Sequence, residues 1–364
     1  VEMADAKVVL VGDIDRGGVF AQIIGTLDLI APEERDRVCG IVINKFRGDA
    51  ALFADGVRFL TERTGIPVLG ILPFLRDLAL DQEDSLDVDI RRQVAFQRDY
   101  INLAVILLPH MSNFTDFNAL AGEPDVALRY AATPEEAAGA DAILLPGSKT
   151  TLADLAYLRG KGFESLLHGH VHRGGEVVGI CGGYQMLGRR IADPDAVESG
   201  GSGEGLGLLQ VTTVLMREKI TEQVEGRALY LGGPAAPPVR GYLIHMGRTD
   251  RHGHRACFEL QGKEPSPAGP RDVTERDDAW LDGAMSDDGL VWGTYIHGLF
   301  DEPLCRRAWL NRLRIRKGLP AADMALSQQV NRQRSGAMDR WADHVERHLD
   351  LAPLLALLRQ GGTV

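Results

Sequence analysis

Short, uninterrupted apolar runs alternate with helix-patterned stretches along most of this chain, and that alternation leaves few folds open. Lys7–Gly12 (KVVLVG), Val38–Asn44 (VCGIVIN) and Val68–Leu72 read as strands, with helices over Val19–Ile30 and Ala51–Thr64 between them. The pattern resumes with Ile101–Leu108 (INLAVILL), Ala140–Leu145 (ADAILL) and Glu176–Ile180 (EVVGI), and Leu290–Ile296 (LVWGTYI) reads as one more strand. A strand without polar alternation has to be covered on both faces, and intervening helices supply that cover. The expectation is an α/β protein built on parallel sheets.

The 364 residues suffice for two domains with separate cores. A polar, acidic stretch at Asp81–Arg92 interrupts the two series. It places the expected domains at 1–95 and 96–364, the second closed by an amphipathic helix over Asp339–Leu358. Ala192–Glu204, rich in Gly, Ser and Asp, reads as a mobile loop, and Gly262–Asp272 as a second irregular stretch. At 45% hydrophobic and 25% charged, the composition is that of an ordinary globular α/β chain. No apolar run approaches the roughly 20 residues that span a bilayer, and no basic-then-apolar leader opens the chain. A cytoplasmic location with no membrane partner follows as the expectation. The net charge of −11 speaks against nucleic-acid binding, though a local arginine cluster can still hold an anionic substrate. Cys39, Cys181, Cys257 and Cys305 form no CxxC pair, which points away from a disulfide frame or a zinc cage.

Gly179-Ile180-Cys181-Gly182-Gly183 carries the sharpest chemical signal. A nucleophile-type residue sits between glycines, directly after an apolar strand and before a helix expected over Tyr184–Ile191, which is the nucleophile-elbow pattern with Cys in place of Ser. Flanking Cβ atoms would collide at so sharp a turn, and the start of the following helix favours a thiolate. The Gly182 N–H is then available to an oxyanion. A buried structural cysteine in a glycine turn is the plainer alternative. A thiolate needs a base, and His297 in Tyr295-Ile296-His297-Gly298 ends a strand, where open α/β sheets place their sites. Leu145-Pro146-Gly147-Ser148 runs from a strand through a glycine turn into a helix over Thr151–Arg159, so Gly147 or Ser148 can offer a second N–H.

These three pieces, in this order, resemble the class I (triad) glutamine amidotransferase domain. The chain is similar over nearly its whole length to the cobyric acid synthase family. That narrower likeness rests on VVLVGDIDRGGVFAQIIGTL (Val8–Leu27), GIVINKFRGD (Gly40–Asp49), ILPFLRDLALDQEDSL (Ile71–Leu86), SNFTDFNAL (Ser112–Leu120), LPGSKTTLADL (Leu145–Leu155), GICGGYQMLG (Gly179–Gly188), GYLIHMGRT (Gly241–Thr249) and YIHGLFD (Tyr295–Asp301). The resemblance implies part of a dethiobiotin-synthetase-like, P-loop-type parallel-sheet domain followed by a flavodoxin-like glutamine amidotransferase domain. It further implies glutamine, ATP with Mg²⁺ and a corrinoid as substrates, with ammonia amidating the b, d, e and g carboxylates of adenosylcobyrinic acid a,c-diamide. On the residues, it implies Cys181 as thiolate, His297 as base, Gly147 and Gly182 at the oxyanion, and Gln185 and His245 at the glutamine pocket. In the first domain, Asn44 matches an adenine-reading asparagine. Asp13 and Asp15 fall near Mg²⁺ or substrate, or simply cap a turn. Arg16, Gly17 and Gly18 fall near phosphate or a substrate carboxylate.

Three departures qualify the likeness. No GxxxxGK[ST] phosphate loop is present, so the resemblance implies roughly 130 upstream residues, a partial domain; a separate N-terminal fragment or a homo-oligomer is the expected partner. Leu299 stands where many class I glutaminases place a glutamate two residues after the histidine, so the resemblance implies a histidine acting without a carboxylate partner, with Asp301 as the alternative candidate to orient it. Leu243 stands where relatives carry Glu in a GYEIHMG stretch. The run His168-Gly169-His170-Val171-His172 reads as a solvated helix end rather than a metal site, because i and i+2 residues face apart on a helix. Three alternatives stay open: cobyrinic acid a,c-diamide synthase or the cell-wall glutamine amidotransferase, a stand-alone cysteine hydrolase, and a non-catalytic scaffold. The QEDSL and IHMGRT segments favour the cobyric acid synthase family.

Overall fold

The computed structural model describes residues 1–75, 92–232, 235–262 and 279–360. Most of the expected linker, the QEDSL segment and nearly all of the irregular stretch after Gly262 lie outside the described residues. The chain divides into two compact units, one of Val1–Leu80 with Gln333–Val364 and one of Asp81–Arg332.

The first unit is a parallel sheet in the order Val8–Asp13, Val38–Phe46, Val68–Pro73. Val19 and Ile23 from the helix Val19–Leu29, and Leu60 from the helix Ala54–Thr64, pack on Ile41 and Ile43. Val42, Leu69 and Leu72 face the opposite way and are covered by Trp341, Val345, Leu349 and Leu354. The closing helix expected for the second domain therefore belongs to the first sheet, which needs apolar cover on both faces. It is also two helices, Met324–His348 and Ala352–Gln360. Asp350 breaks them apart: its N–H donates to the Leu69 carbonyl at 2.7 Å, and its carboxylate caps the Ala352 N–H at 3.1 Å. Pro353 has no N–H to continue a helix, so it can only sit in the first turn of the new one.

The second unit holds a six-stranded sheet ordered Ala284–Met285, Val291–Thr294, Glu176–Ile180, Ala142–Leu145, Ile101–Ile106, Val126–Ala131. All its pairings are parallel except the first. Every residue of Ile101–Ile106 and Glu176–Ile180 is buried, as unbroken apolar runs require. Glu176 lies inside with its charge answered by Trp292 Nε1 at 2.6 Å, Trp309 Nε1 at 2.7 Å and Arg316 at 2.7 Å. Arg306 and Arg307 of the helix Pro303–Arg316 are buried against Glu123.

A second sheet of seven strands was not visible in the sequence. Its centre is the antiparallel pair Thr212–Ala228 and Pro238–Asp250. Thr212–Ala228 is exposed at many of its positions and rich in charge, so it offers no apolar run to read. The mobile loop expected over Ala192–Glu204 is a hairpin between Arg190–Asp193 and Gly201–Glu204. The Asp193 carboxylate accepts N–H groups from Val197, Glu198, Ser199 and Gly200 at 2.7 to 3.1 Å, which orders the turn.

Candidate active site

The strand Glu176–Ile180 ends at Cys181, whose φ of +52° and ψ of −109° no ordinary strand or helix supplies. A side-chain-bearing residue holds such a conformation only where its surroundings enforce it. Here the Cys181 N–H donates to the Thr294 carbonyl of the neighbouring strand at 2.8 Å. The chain then turns at once into the helix Gly182–Leu187, shorter than expected. A Cβ on Gly183 would lie 2.1 Å from the Leu145 carbonyl oxygen, and one on Gly179 would lie 2.6 Å from the Gly183 carbonyl carbon. The glycines let the turn close.

His297 comes within electrostatic influence of Cys181 because its strand changes sheets. Val291–Thr294 pairs with the elbow strand, but Ile296–His297 pairs with Tyr242 and Leu243 of the second sheet. Buried Asp282 pins the crossing, accepting from the Thr294 hydroxyl and from the Tyr295 N–H at 3.3 Å. Burial raises the Asp282 carboxyl to about 6. His297 is fully buried, with the Tyr242 ring stacked on it at 5.4 Å between centroids. The Cys181 thiol points to the Ile244 carbonyl at 3.8 Å, so the GYLIHMGRT strand forms one wall of the site.

Sequence reasoning missed the carboxylate. His297 Nδ1 donates to Asp116 Oδ2 at 2.7 Å, and the Gly298 N–H donates to Asp116 Oδ1 at 2.8 Å. Asp301, the candidate partner, does not make this contact, and Leu299 is buried in the core. Asp116 lies within the SNFTDFNAL segment, 181 positions away. The only hint was the leucine at 299, which left Nδ1 needing an acceptor from elsewhere. Burial pulls the His297 pKa down, but the Asp116 hydrogen bond, the Cys181 sulfur and the charge on both carry it up to about 10. The ring is therefore an imidazolium at neutral pH, with Nε2 buried and without a hydrogen bond among the described residues.

Gly147-Ser148 pairs antiparallel with Met111-Ser112. A Cβ on Gly147 would come 3.4 Å from His297 Cε1, and one on Gly182 would come 2.8 Å from the Ser148 backbone nitrogen. The turn thus lies against both His297 and Gly182.

Gln185 and His245 are less free than expected of pocket residues. Gln185 is buried, its Nε2 donating to the Tyr295 hydroxyl at 3.2 Å and its Oε1 accepting from the Thr151 hydroxyl at 3.2 Å. His245 stacks on Tyr295 at 3.8 Å and binds the Gly247 carbonyl through Nδ1 at 2.8 Å. It lines a cavity of about 670 Å³ with Leu243, Trp280 and Arg248.

In the first unit, Asp13 and Asn44 are register partners at the ends of adjacent parallel strands, where such sheets take ligands. Asp13 is bonded to Lys45 at 2.8 Å and Asp15 to Arg47 at 2.6 Å. Side-chain hydrogen bonds from those cations hold both carboxyls below their usual range. Gly17 and Gly18 take positive φ before the helix at Val19, and Arg16 is exposed. As arranged, the two carboxylates are engaged by cations rather than assembled around a Mg²⁺ ion. Among the described residues no group of three or more His, Cys, Asp or Glu is placed to hold a metal. Of the histidine run, His170 is buried, not solvated, and bonds the Glu176 carbonyl at 3.2 Å, while His168 bonds the Leu206 carbonyl at 2.9 Å.

Residues 102–304 match the CobB/CobQ-like glutamine amidotransferase domain, and residues 1–82 match an AAA domain. The cobyric acid synthase of Citrobacter koseri is 45% identical over 99% of this chain and 69% of its own length. That of Klebsiella pneumoniae subsp. pneumoniae is 46% identical over 99% of this chain and 69% of its own. The chain belongs to the cobyric acid synthase family. Among solved structures, PurLQS from Thermotoga maritima is 16% identical with a TM-score of 0.40, covering 66% of this chain and 99% of that one. For a member of the cobyric acid synthase family, the elbow at Cys181 falls inside the matched amidotransferase domain, and so do His297 and Asp116. No helix among the described residues is long and apolar enough to cross a membrane.

Proposed function

We propose that this chain hydrolyses glutamine at Cys181 and delivers the ammonia to a corrinoid, amidating the b, d, e and g carboxylates of adenosylcobyrinic acid a,c-diamide in cobalamin biosynthesis. The observation that carries the reading is the hydrogen-bonded Asp116–His297 pair facing a strained Cys181 turn. In this mechanism the sulfur, as thiolate beside the imidazolium, attacks the side-chain amide carbon of glutamine. Backbone N–H groups of Gly182 and of Gly147 or Ser148 hold the oxyanion. The C–N bond breaks as His297 gives its proton to the departing ammonia, leaving a glutamyl thioester. His297, now neutral, takes a proton from water, which cleaves the thioester and releases glutamate. Asp116 keeps Nδ1 protonated and Nε2 aimed at the sulfur throughout.

The synthetase half of the reading rests on the family. ATP, as a substrate, would activate each carboxylate as an acyl phosphate, from which ammonia displaces inorganic phosphate. Asn44, Asp13, Asp15, Arg16, Gly17 and Gly18 are the residues proposed for the nucleotide or substrate end. Residues 1–95, with the last helices that cover their sheet, are proposed as part of the ATP-binding domain and residues 96–332 as the glutaminase, working in the cytoplasm. Glutamate release from glutamine, measured on the purified chain beside Cys181→Ala, tests the first half. Equal release by the two proteins overturns it. Amidation of the corrinoid in the presence of ATP and Mg²⁺, with the upstream phosphate-loop segment supplied, tests the second.

A further inference from the structure

We propose that Asp154 is a positioning residue for glutamine hydrolysis: its carboxylate clamps together the two loops whose short ladder aims the oxyanion-holding backbone at Cys181. The inference rests on the glutaminase reading above. Asp154 lies in the first turn of the helix Thr151–Gly160 and is wholly buried. One oxygen accepts the Ser148 hydroxyl at 2.6 Å, and the other is bonded to His110 Nδ1 at 2.9 Å. A carboxylate only accepts, so His110 donates from Nδ1.

Ser148 and His110 belong to different loops, and these loops form the ladder of Gly147-Ser148 with Met111-Ser112. That ladder is two residue pairs long. So short a pairing is marginal without help from outside it. Asp154 fastens both of its strands from one side. The Ser148 hydroxyl also accepts the Thr150 N–H at 3.0 Å, and the Lys149 N–H donates to the His110 carbonyl at 3.0 Å. The turn after Ser148 is therefore tied at three points around one carboxylate.

A helix-capping role does not account for this residue. The Thr151 N–H at the helix start is taken by Glu198, and both Asp154 oxygens turn outward to the loops. Burying a carboxylate is costly unless its partners are good, so a carboxylate at this place implies a use for the rigidity it confers. The rigid object is the backbone that lies against Gly182 and His297. An N–H there is effective only if fixed before the oxyanion forms.

The test compares the full chain with Asp154→Asn and with Ser148→Ala, which keeps its backbone N–H but loses the tether. Both variants should lower kcat for glutamate release by about tenfold or more, the effect of a misplaced catalytic group, with KM little changed. Glutamate γ-semialdehyde forms a tetrahedral adduct with the thiol, and its affinity should fall by the same factor as kcat. Thermal melting checks that each variant is folded, and Ser148→Ala serves if Asp154→Asn is not. Unchanged kcat in folded variants overturns the inference alone, as does a raised KM at constant kcat. Absence of glutamate release by the unaltered chain overturns the glutaminase reading, and the inference falls with it.

Discussion

At the scale of single residues, the site turns on where one proton resides. His297 carries a pKa near 10 because Asp116 and Cys181 outweigh the penalty of burial. Its folded value lies above the ordinary histidine value, so the stability it contributes is complete below about pH 6.5 and is lost as pH rises toward 10. Glutamate release should therefore hold through the neutral range and fall on an alkaline limb near pH 10. Asp116→Asn removes the largest of the raising influences and should move that limb toward neutrality. The pH–rate profile and an NMR titration of the ring report it independently; an unmoved limb would mean that Asp116 does not set the proton affinity. Asp282, raised to about 6 by burial, acts in the opposite sense at neutral pH. Its charged form costs stability above that pH, so Asp282→Asn should melt no lower than the parent at pH 8.

At the scale of elements, glycines separate into those that permit an approach and those that do not. Gly183→Ala would drive a Cβ to 2.1 Å from a backbone oxygen that cannot move without the strand Ala142–Leu145. A cost of about 2–3 kcal/mol and loss of glutamate release are expected, read from denaturant melts and the activity assay. Gly25, inside the helix Val19–Leu29, meets nothing within 4 Å. Gly25→Ala should stabilise by about 0.5–1 kcal/mol. The helix Pro303–Arg316 is held by charge as well as by packing, since Arg306 and Arg307 are buried on Glu123. Glu123→Ala removes the carboxylate that both buried arginines share, leaving Arg307 with Asp125 at 2.8 Å, and should cost about 3 kcal/mol, a loss large enough to appear as poor soluble expression.

At the scale of the whole molecule, the two compact units make separable predictions. The last helices cover Val42, Leu69 and Leu72 of the first sheet, while the dyad is built within the second unit. A chain ending at Arg332 should expose the apolar face of the first unit and melt earlier there. It should still release glutamate at close to the parental rate. Calorimetry resolves the two transitions, and joint loss of both would show that the units do not fold independently.

Much of this was legible in the linear chain, and the rest had a physical reason to be hidden. Unbroken apolar runs identified the three strands of the first sheet and four of the six in the larger one, because burial on two faces leaves no room for polar alternation, whereas Val126–Ala131 and Ala284–Met285 were not read. The glycines around Cys181 identified the elbow, because a turn that sharp excludes side chains wherever the following helix touches the preceding strand. The proposed pairing of Cys181 with His297 was reached from the need of a thiolate for a base. The mixed seven-stranded sheet could not be read, since strands exposed on one face carry charges where an apolar run would have been the signal. Nor could Asp116 or Asp154, or the attachment of the last helices to the first sheet. Residue type and local spacing decide which elements form. Which carboxylate meets which histidine across 181 positions is decided only when the chain closes on itself.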